Sequence, residues 1–181
     1  MQVTHKKTED KYQEFRNVSR QIAQDALPAG LIDVVNLKPV DSLSLGHSKR
    51  WEISETRKDD ANWSWEDSIP DYSYRNPKRF DLAIWYANAQ LCGLCIGKPT
   101  FTGARLRLDV IEGSPLNHPL KGKIVSISIS AAEAYADLIG ADQIRIMRPL
   151  NKELIRYYQS HGFTYRQGKA SNTPSYLWRN L

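Results

Sequence analysis

The hydrophobic positions near the start of the chain recur every three or four residues, the spacing of one face of an amphipathic α-helix. This apolar stripe consists of Tyr12, Phe15, Val18 and Ile22. Thr8 can cap such a helix, with two acidic residues directly after it, and Pro28 would end it. The pattern therefore predicts a helix from Thr8 to about Leu27.

Farther along, the pattern changes to the alternation that is typical of β-strands. Residues 31–35 and 50–54 are predicted as short strands. Two apolar runs on either side of residues 87–90 predict a hairpin, and with the alternating residues 104–113 they fit three consecutive antiparallel strands over 80–113. In the last of these strands one face would carry Leu106, Leu108 and Val110, and the other Arg105, Arg107, Asp109 and Ile111.

The segment 123–138 gives two conflicting signals. Its first half alternates like a strand, whereas residues 131–138 are rich in alanine with apolar positions at helical spacing, so propensity and period disagree. Residues 143–147 are predicted as a strand. Asn151 would cap a further helix, and Gly162 would supply the left-handed residue that ends it. Residues 163–167 and 175–179 are then predicted as a final hairpin.

Residues 55–79 are polar, yet they contain four large aromatic side chains. These are Trp63, Trp65, Tyr72 and Tyr74. Such a segment is either a packed surface loop or short helix whose aromatic residues cover the core, or one wall of a substrate pocket. An aromatic wall near Arg75, Lys78 and Arg79 would also suit stacking on a nucleotide.

Length, composition and charge narrow the class of protein. At 181 residues, with 41% hydrophobic and 25% charged residues, the chain has the size and composition of one soluble globular domain. No apolar run reaches the roughly 18 residues of a membrane span, and the charged N-terminal residues do not form a secretory signal, so a cytoplasmic protein is expected. The net charge of +5 is compatible with anionic partners or simply with solubility.

Cys92 and Cys95 form a CxxC pattern that could indicate a redox pair or half of a zinc site. There is no second cysteine pair, and the four histidines are scattered. On a straight strand, residues three apart also point to opposite faces. Buried, inert thiols are therefore predicted, and no metal.

The most specific pattern lies near the C-terminal end. Asn151 begins the predicted helix, Tyr158 follows seven residues later, and Gly162 and Phe163 come four and five residues after that. This spacing, together with the order of predicted elements over residues 80–179, resembles the GNAT superfamily of acyl-CoA-dependent N-acetyltransferases. The resemblance implies an α+β fold with a mixed, mostly antiparallel central sheet, splayed at the cofactor cleft, and helices on both faces. Residues 1–181 would form one domain, with 1–79 as the N-terminal helix and substrate side and 80–181 as the cofactor-binding core.

The resemblance also implies a set of site residues. Acetyl-CoA would be held at the helix start by Leu120, Lys121, Gly122, Lys123, Ile124 and Val125, with further contacts from Asn151 and a backbone N–H near Val110 or Ile111. Glu112 or Asp109 would accept the proton of the amine, Glu112 being preferred, although either could be a structural carboxylate. Tyr158 would face the leaving sulfur. The acceptor would contact Trp63, Trp65, Tyr72 and Tyr74.

The implied activity is transfer of an acetyl group from acetyl-CoA to a primary amine by direct attack on the thioester. The amine could belong to a small molecule, a protein or a nucleic acid, and a homodimer is compatible with the fold. The segment around Gly122 departs from the family pattern, with Pro119 and Ile124 at positions usually held by Gln or Arg and by Gly or Ala. The alternative is therefore a degenerate, basic GNAT-like module that binds nucleic acid or protein.

Overall fold

The computed structural model describes residues 2–58, 61, 63–169 and 174–181, and within these ranges six helices and seven strands are found. The helices are α1 (Gln2–Asp25), α2 (Ala29–Ile32), α3 (Ser42–Glu52), α4 (Trp65–Arg75), α5 (Ile124–Leu138) and α6 (Lys152–Ser160). The strands are β1 (Val35–Lys38), β2 (Phe80–Tyr86), β3 (Gln90–Pro99), β4 (Arg105–Gly113), β5 (Gln143–Met147), β6 (Thr164–Arg166) and β7 (Tyr176–Asn180). None of the described helices is both long and apolar enough to span a membrane.

The strands form one sheet in the order β1-β2-β3-β4-β5-β7-β6. Only the β4–β5 pair among them is parallel, because α5 carries the chain back across the sheet between these two strands. The other neighbours are antiparallel. The mixed, mostly antiparallel α+β sheet that the resemblance implied is confirmed.

Helices cover both faces of this sheet, as expected. On one face α1, α5 and α6 enclose a core that includes Phe80, Leu82, Leu108, Tyr135 and Ile146. On the other face α3 and α4 pack over β2 and β3 through a second core, here called the tryptophan core, which includes Trp51, Trp65 and Trp85. The aromatic residues of segment 55–79 thus belong largely to the tryptophan core.

The sheet splays between β4 and β5. These strands pair from Arg105 to Leu108, opposite residues 143–146, whereas β4 continues along β3 as far as Gly113. Asp109 is an extra residue in β4, because Leu108 lies opposite Gly97 and Val110 lies opposite Ile96. Such a bulge bends the strand and increases its twist, which opens a cleft beyond the last β4–β5 pair.

The bulge also overturns the predicted faces of β4. Val110 packs in the tryptophan core, whereas Leu108 and Ile111 face the core that contains α5. The strict alternation predicted for Leu106, Leu108 and Val110 is therefore wrong after Asp109, since one inserted residue exchanges the faces of the residues that follow.

A similar bulge in β3 changes the direction in which the two cysteine side chains point, compared with the prediction for a straight strand. Cys92 is an extra residue of β3, because Ile84 pairs with Gly93 and Trp85 pairs with Leu91. Both thiols consequently lie in the same core rather than on opposite faces. They are buried, and burial raises the pKa of the Cys92 thiol to about 11 and that of Cys95 further. Within the described part of the chain, no group of three or more acidic, histidine or cysteine side chains could hold a metal.

Three predictions in the N-terminal part need correction. The first helix begins at Gln2 rather than Thr8, whose hydroxyl donates to the Thr4 carbonyl instead of capping. The first strand is shifted to 35–38, because 29–32 form a short helix. Residues 50–52, expected in a strand, end helix α3, which begins with a reciprocal capping box between Asp41 and Ser44.

A buried charge network fixes α1 to the sheet. The Asp81 carboxylate, on β2, lies 3.1 Å from the guanidinium of Arg20, 3.3 Å from Arg79 and 3.5 Å from Arg16. Glu9 adds ion pairs to Arg16 and Arg79. Arg16 is fully buried, so its charge depends on these partners.

The C-terminal predictions are confirmed. The strand at 143–147 has the predicted bounds, and β6 and β7 form the final hairpin. The Asn151 side chain accepts from the Leu154 N–H at 2.9 Å, and Gly162 has φ +82°. The ambiguous segment is helical from Ile124, because Ile124, Ile127 and Ala131 face the core at helical spacing.

Candidate active site

Three neighbouring cavities lie where β4 and β5 separate, and the Trp63 side chain lines all of them. The α5 cavity, of about 330 Å³, lies between the end of β4, Lys121 and the first turn of α5. The cleft cavity, of about 320 Å³, lies between the splayed strands and the start of α6. The α4 cavity, of about 350 Å³, lies between α4 and the β4 bulge. Tyr158 lines the first two and Asp109 the last two, so neighbouring cavities share lining residues.

The turn before α5 offers backbone donors and positive charge to the α5 cavity. Gly122 has φ +79°, and a Cβ there would meet no atom within 4 Å, so backbone conformation rather than space calls for glycine. No side chain caps the helix, since Lys123 at the cap position makes no capping hydrogen bond. The first-turn N–H groups of a helix lack partners within it, and the helix dipole favours an anion there. With Lys121 and Lys123 exposed beside it, this donor set fits a diphosphate.

Two of the predicted backbone donors are already used inside the turn. The Leu120 N–H donates to Nδ1 of His118 at 3.2 Å, and the Lys123 N–H donates to the Leu120 carbonyl at 3.0 Å. The Leu120 side chain is fully buried. The prediction that the Leu120 and Lys123 N–H groups face a ligand is therefore wrong, because the turn closes on itself, while Gly122, Ile124 and Val125 remain predicted donors.

His118 makes this turn dependent on its own protonation state. Nδ1 accepts the Leu120 N–H, so that nitrogen carries no proton. Burial, and then the charge of Lys121, lowers the pKa of His118 below its usual value. The neutral imidazole is therefore a structural part of the turn.

Tyr158 lies where the α5 cavity and the cleft cavity meet. Its side chain is 4% exposed, and no described residue hydrogen-bonds its hydroxyl. Burial, and to a smaller extent Cys95, raises the pKa of this phenol well above its usual value. Its neighbour Tyr157 instead reaches the turn, with its hydroxyl 3.5 Å from the Gly122 carbonyl oxygen. The two adjacent tyrosines thus face different groups, as the 100° rotation between neighbouring helical residues predicts.

Glu112 lines the α5 cavity but is held by three donors. Arg57 binds both of its carboxylate oxygens, at 2.8 and 3.1 Å, and Nε1 of Trp65 donates to it at 2.6 Å. The Arg57 and Glu112 side chains are both nearly buried. This ion pair fixes the segment before α4 to the end of β4, an arrangement that suits a structural carboxylate.

Asp109, at the bulge, is also hydrogen-bonded but opens onto two cavities. The Tyr72 hydroxyl donates to its Oδ2 at 2.8 Å, and Arg107 donates to its Oδ1 at 2.7 and 2.9 Å. Burial, followed by the Asp109 charge, raises the pKa of Tyr72, so this phenol remains a donor. The carboxylate is thereby oriented between the cleft cavity and the α4 cavity.

Three of the four predicted aromatic residues come together. Trp63, Trp65 and Tyr72 line the α4 cavity. Tyr74 is contradicted as a pocket residue: it is 74% exposed and stacks on His5 of α1. The reason is helical geometry, since Tyr74 lies two residues after Tyr72 and so points about 200° away from it.

The remaining predicted residues lie around the cleft. Val110 and Ile111 follow the last β4–β5 pair and line the cleft cavity. Asn151 caps α6 next to Leu150, which lines the same cavity. Sequence reasoning missed Arg57, Arg107 and Arg148, since an arginine contact across the fold leaves no local pattern.

Arg148 directly follows β5 and lines both the cleft cavity and the α4 cavity. Its φ of +48° lies in the left-handed region, which is uncommon for a residue other than glycine. Its N–H donates to the Ser175 carbonyl at 2.9 Å, which holds the strained backbone in place. Strained residues of this kind concentrate at functional sites.

No protein-family model and no curated protein matches this chain. Solved structures do match. Ard1 from Thermoplasma volcanium is 13% identical, with 82% of this chain and 98% of that chain covered, at a TM-score of 0.60. An acetyltransferase from Thermus thermophilus is 18% identical, with 82% and 97% covered, at 0.61. A spermidine N-acetyltransferase SpeG chimera from Vibrio cholerae and hSSAT is 11% identical, with 81% and 95% covered, at 0.61.

These similarities establish the architecture. The chain has the fold of the GNAT N-acetyltransferases, as the resemblance of the sequence implied. The matched proteins are covered almost completely, whereas about a fifth of this chain lies outside each alignment. At identities below 20%, the comparison concerns the fold and not the substrate.

Proposed function

We propose that this protein is an N-acetyltransferase that transfers an acetyl group from acetyl-CoA to a primary amine. The observation that supports this most strongly is the line of three cavities through the splay, which brings the α5 turn, Tyr158 and Asp109 to one site. The proposal treats residues 1–181 as one catalytic unit, because β1 from the first 79 residues belongs to the same sheet as β2–β7.

The α5 cavity is the proposed coenzyme side. Gly122 and the first turn of α5 would bind the diphosphate through their N–H groups, with Lys121 and Lys123 as additional cations. When bound, acetyl-CoA would supply an activated acetyl group as a thioester. A backbone N–H near Val110 or Ile111, beyond the last pair with β5, would hydrogen-bond the acyl oxygen.

The α4 cavity is the proposed acceptor side, and Asp109 is the preferred proton acceptor. It lines the two cavities at which the acceptor would enter, and its partner Arg107 is partly exposed, whereas Glu112 lines the α5 cavity and is held by the nearly buried Arg57. Asp109 would take the amine proton directly or through a water molecule. Trp63, Trp65 and Tyr72 would form the walls of the acceptor pocket. This choice reverses the preference for Glu112 that position in the strand suggested.

Tyr158 would stabilise the leaving sulfur by donating a hydrogen bond. A thiol has a pKa near 8.5 and a tyrosine near 10, a gap worth about 2 kcal/mol. Because burial raises the Tyr158 pKa further, complete transfer of its proton is more costly, and hydrogen bonding is the better role.

The acceptor is expected to carry little positive charge besides the reacting amine. Arg107 and Arg148 both line the α4 cavity, and Asp109 already pairs with Arg107. A polycation would therefore meet net repulsion in this cavity. On this proposal the acceptor would differ from spermidine, the polyamine named for the matched SpeG chimera.

The proposal can be tested in two steps. First, acetyl-CoA is added to the purified protein and the melting temperature is recorded; at a hundredfold excess over the dissociation constant, the folded state gains about 2.7 kcal/mol. Second, release of free coenzyme A is followed with amino acids, polyamines, peptides and aminoacylated RNA as acceptors. If acetyl-CoA neither stabilises the protein nor is consumed with any acceptor, the proposal is wrong.

A further inference from the structure

One face of the sheet beyond β4 is rich in arginine and aromatic side chains. We call it the arginine face, and it consists of Arg105, Arg107, Arg145, Arg166, Tyr176 and Trp178. The strand register makes these residues neighbours. Arg107 and Trp178 lie on either side of Arg145, and Tyr176 is paired with Arg166. The residues therefore form one surface across β4, β5, β7 and β6.

This surface is on the side of the sheet opposite α5. Leu106, Ile144, Ile146 and Leu177 point into the core shared with α5, so the residues that alternate with them point the other way. On that other face α3 and α4 pack on β2, β3 and the end of β4 through the tryptophan core. None of the helices that the structure describes contributes to a core over β5, β6 and β7 there.

The positive charges of the arginine face are crowded. The Arg145 guanidinium lies 4.5 Å from the Tyr176 ring centre, and that of Arg166 lies 5.9 Å from the same ring. Burial lowers the pKa of Arg145, and the charges of Arg105, Arg166 and Arg107 lower it further. Arg105 and Arg166 are exposed to solvent. Neighbouring like charges repel one another, so a bound anion would relieve the repulsion.

Little acidic charge on the same surface offsets these arginines. Asp109 is the acidic residue among the described strand positions of this face. Its carboxylate already accepts hydrogen bonds from Arg107 and Tyr72. Arg145 has only the neutral Gln143 amide oxygen as its side-chain partner in the described hydrogen bonds. Apart from Arg107, which is held by Asp109, the face thus offers its guanidinium groups to an external polyanion.

The size and chemistry of the face indicate the kind of polyanion. Four neighbouring strands span roughly 14 Å, since adjacent strands lie about 4.8 Å apart, which exceeds one phosphate group and suits several along a chain. Trp178 is half-buried and is paired with Arg145 across β5 and β7. Bases stack on aromatic rings and on guanidinium planes, whereas carboxylates of an acidic peptide gain nothing from an aromatic surface.

The geometry points to the arginine face as a binding surface for single-stranded nucleic acid, with Arg105, Arg145 and Arg166 contacting phosphates and Trp178 stacking on a base. This inference does not depend on acetyl transfer, because binding requires neither acetyl-CoA nor Tyr158. The face adjoins the α4 cavity at Arg107, so a bound strand would lie next to the proposed acceptor side.

The test uses a fluorescein-labelled 12-nucleotide oligouridylate, and its DNA counterpart, in anisotropy titrations at several salt concentrations. The variant Arg105→Gln/Arg166→Gln removes two exposed charges from the face. The control Arg50→Gln/Arg156→Gln removes two exposed charges from α3 and α6. Both variants lower the formal net charge from +5 by the same amount, so an effect of overall charge would appear equally in both.

The wild-type protein is expected to bind the oligonucleotide with a salt-dependent affinity. Losing two single-strand phosphate contacts should reduce the slope of log K against log salt by about 1.4 and weaken binding about 25-fold at 0.1 M salt, whereas the control should bind within about twofold of wild type. Melting temperatures verify folding, and each single variant should show about half the change in slope. Equal losses in the two double variants, or equally tight binding of a poly-glutamate peptide, would overturn the assignment.

Discussion

The Tyr72 hydroxyl donates a 2.8 Å hydrogen bond to Oδ2 of Asp109, which joins α4 to the bulge of β4. This contact connects the aromatic segment of the sequence with the bulge residue of β4, which lies out of register between the Ile96–Val110 and Gly97–Leu108 pairs. Arg107 donates a hydrogen bond to the other carboxylate oxygen, Oδ1. The carboxylate is therefore oriented by two donors at the point where the cleft cavity and the α4 cavity meet.

Replacing Tyr72 by phenylalanine should reduce both stability and turnover. Removing one partner of a buried hydrogen bond costs about 1–3 kcal/mol, and a less firmly held Asp109 should lower kcat/KM about tenfold. Urea unfolding and steady-state kinetics measure the two effects. Tyr74→Phe, on the same helix but exposed, is the matched control and should change stability by less than about 0.5 kcal/mol. Equal effects of the two variants would remove Tyr72 from the site.

Tyr158→Phe should lower kcat about 10- to 100-fold, because the hydrogen bond to the leaving sulfur is lost in the transition state. Stabilisation by acetyl-CoA should persist, since the diphosphate contacts lie in the α5 turn. Tyr165→Phe, a partly buried tyrosine of β6 outside the cavities, should keep wild-type turnover. The raised pKa of Tyr158 adds a further expectation: its ionisation should cause no loss of rate at any pH below about 10. A Tyr158→Phe enzyme with full kcat would contradict the assigned role.

Asp109→Asn should mainly reduce turnover, whereas Glu112→Gln should mainly reduce stability. Asp109→Asn is expected to reduce kcat/KM at least about tenfold, because the amide cannot accept the amine proton. Glu112→Gln leaves the nearly buried Arg57 without its counter-charge, which should cost up to about 3 kcal/mol of stability. Thermal unfolding and steady-state kinetics of both variants decide which of the two carboxylates accepts the proton. If Glu112→Gln abolished turnover while retaining the wild-type melting temperature, Glu112 would be the base.

The sequence predicts best where a local signal and the tertiary environment agree. Asn151 and Gly162 mark the two ends of α6 by cap chemistry alone, and both act as predicted. The strand prediction for 50–54 failed because the deciding signal, the capping box at Asp41 and Ser44, lies several residues upstream. The helix that starts at this box continues through residues 50–52 despite their strand-like pattern.

The site was predictable only in part, because its geometry depends on bulges and on long-range pairs. The spacing of Asn151 and Tyr158 led to α6, and the aromatic segment led to the α4 cavity. Nothing in the alternating residues 104–113 reveals that Asp109 is inserted out of register. The ion pair of Arg57 with Glu112 spans 55 residues, so the choice between the two carboxylates needed the fold.

His118 should make the stability of the α5 turn depend on pH. Its folded-state pKa lies below the usual value of about 6.5, so the unfolded chain binds the proton more readily. The contribution of the neutral imidazole is present above pH 6.5 and is lost as the pH falls through the folded pKa. In His118→Asn, the Oδ1 atom can still accept the Leu120 N–H but does not titrate. The melting temperature of the wild type should therefore fall more between pH 7.5 and 5.5 than that of the variant, and parallel curves would contradict this role.

Asp81→Asn should be the most destabilising of these substitutions. Asp81 is 5% exposed, and its carboxylate neutralises Arg16 and Arg20, both of which are buried. Removing it leaves buried guanidinium charges without adequate compensation, a loss of about 3–5 kcal/mol. Because these arginines belong to α1 and Asp81 belongs to β2, the loss should first release α1, which hydrogen exchange would report as reduced protection of residues 9–23. Asp71→Asn, which breaks only an exposed pair with Arg75, should cost less than about 0.5 kcal/mol. Urea unfolding of both variants compares the two sites, and similar small losses would show that Glu9 alone can compensate the arginines of α1.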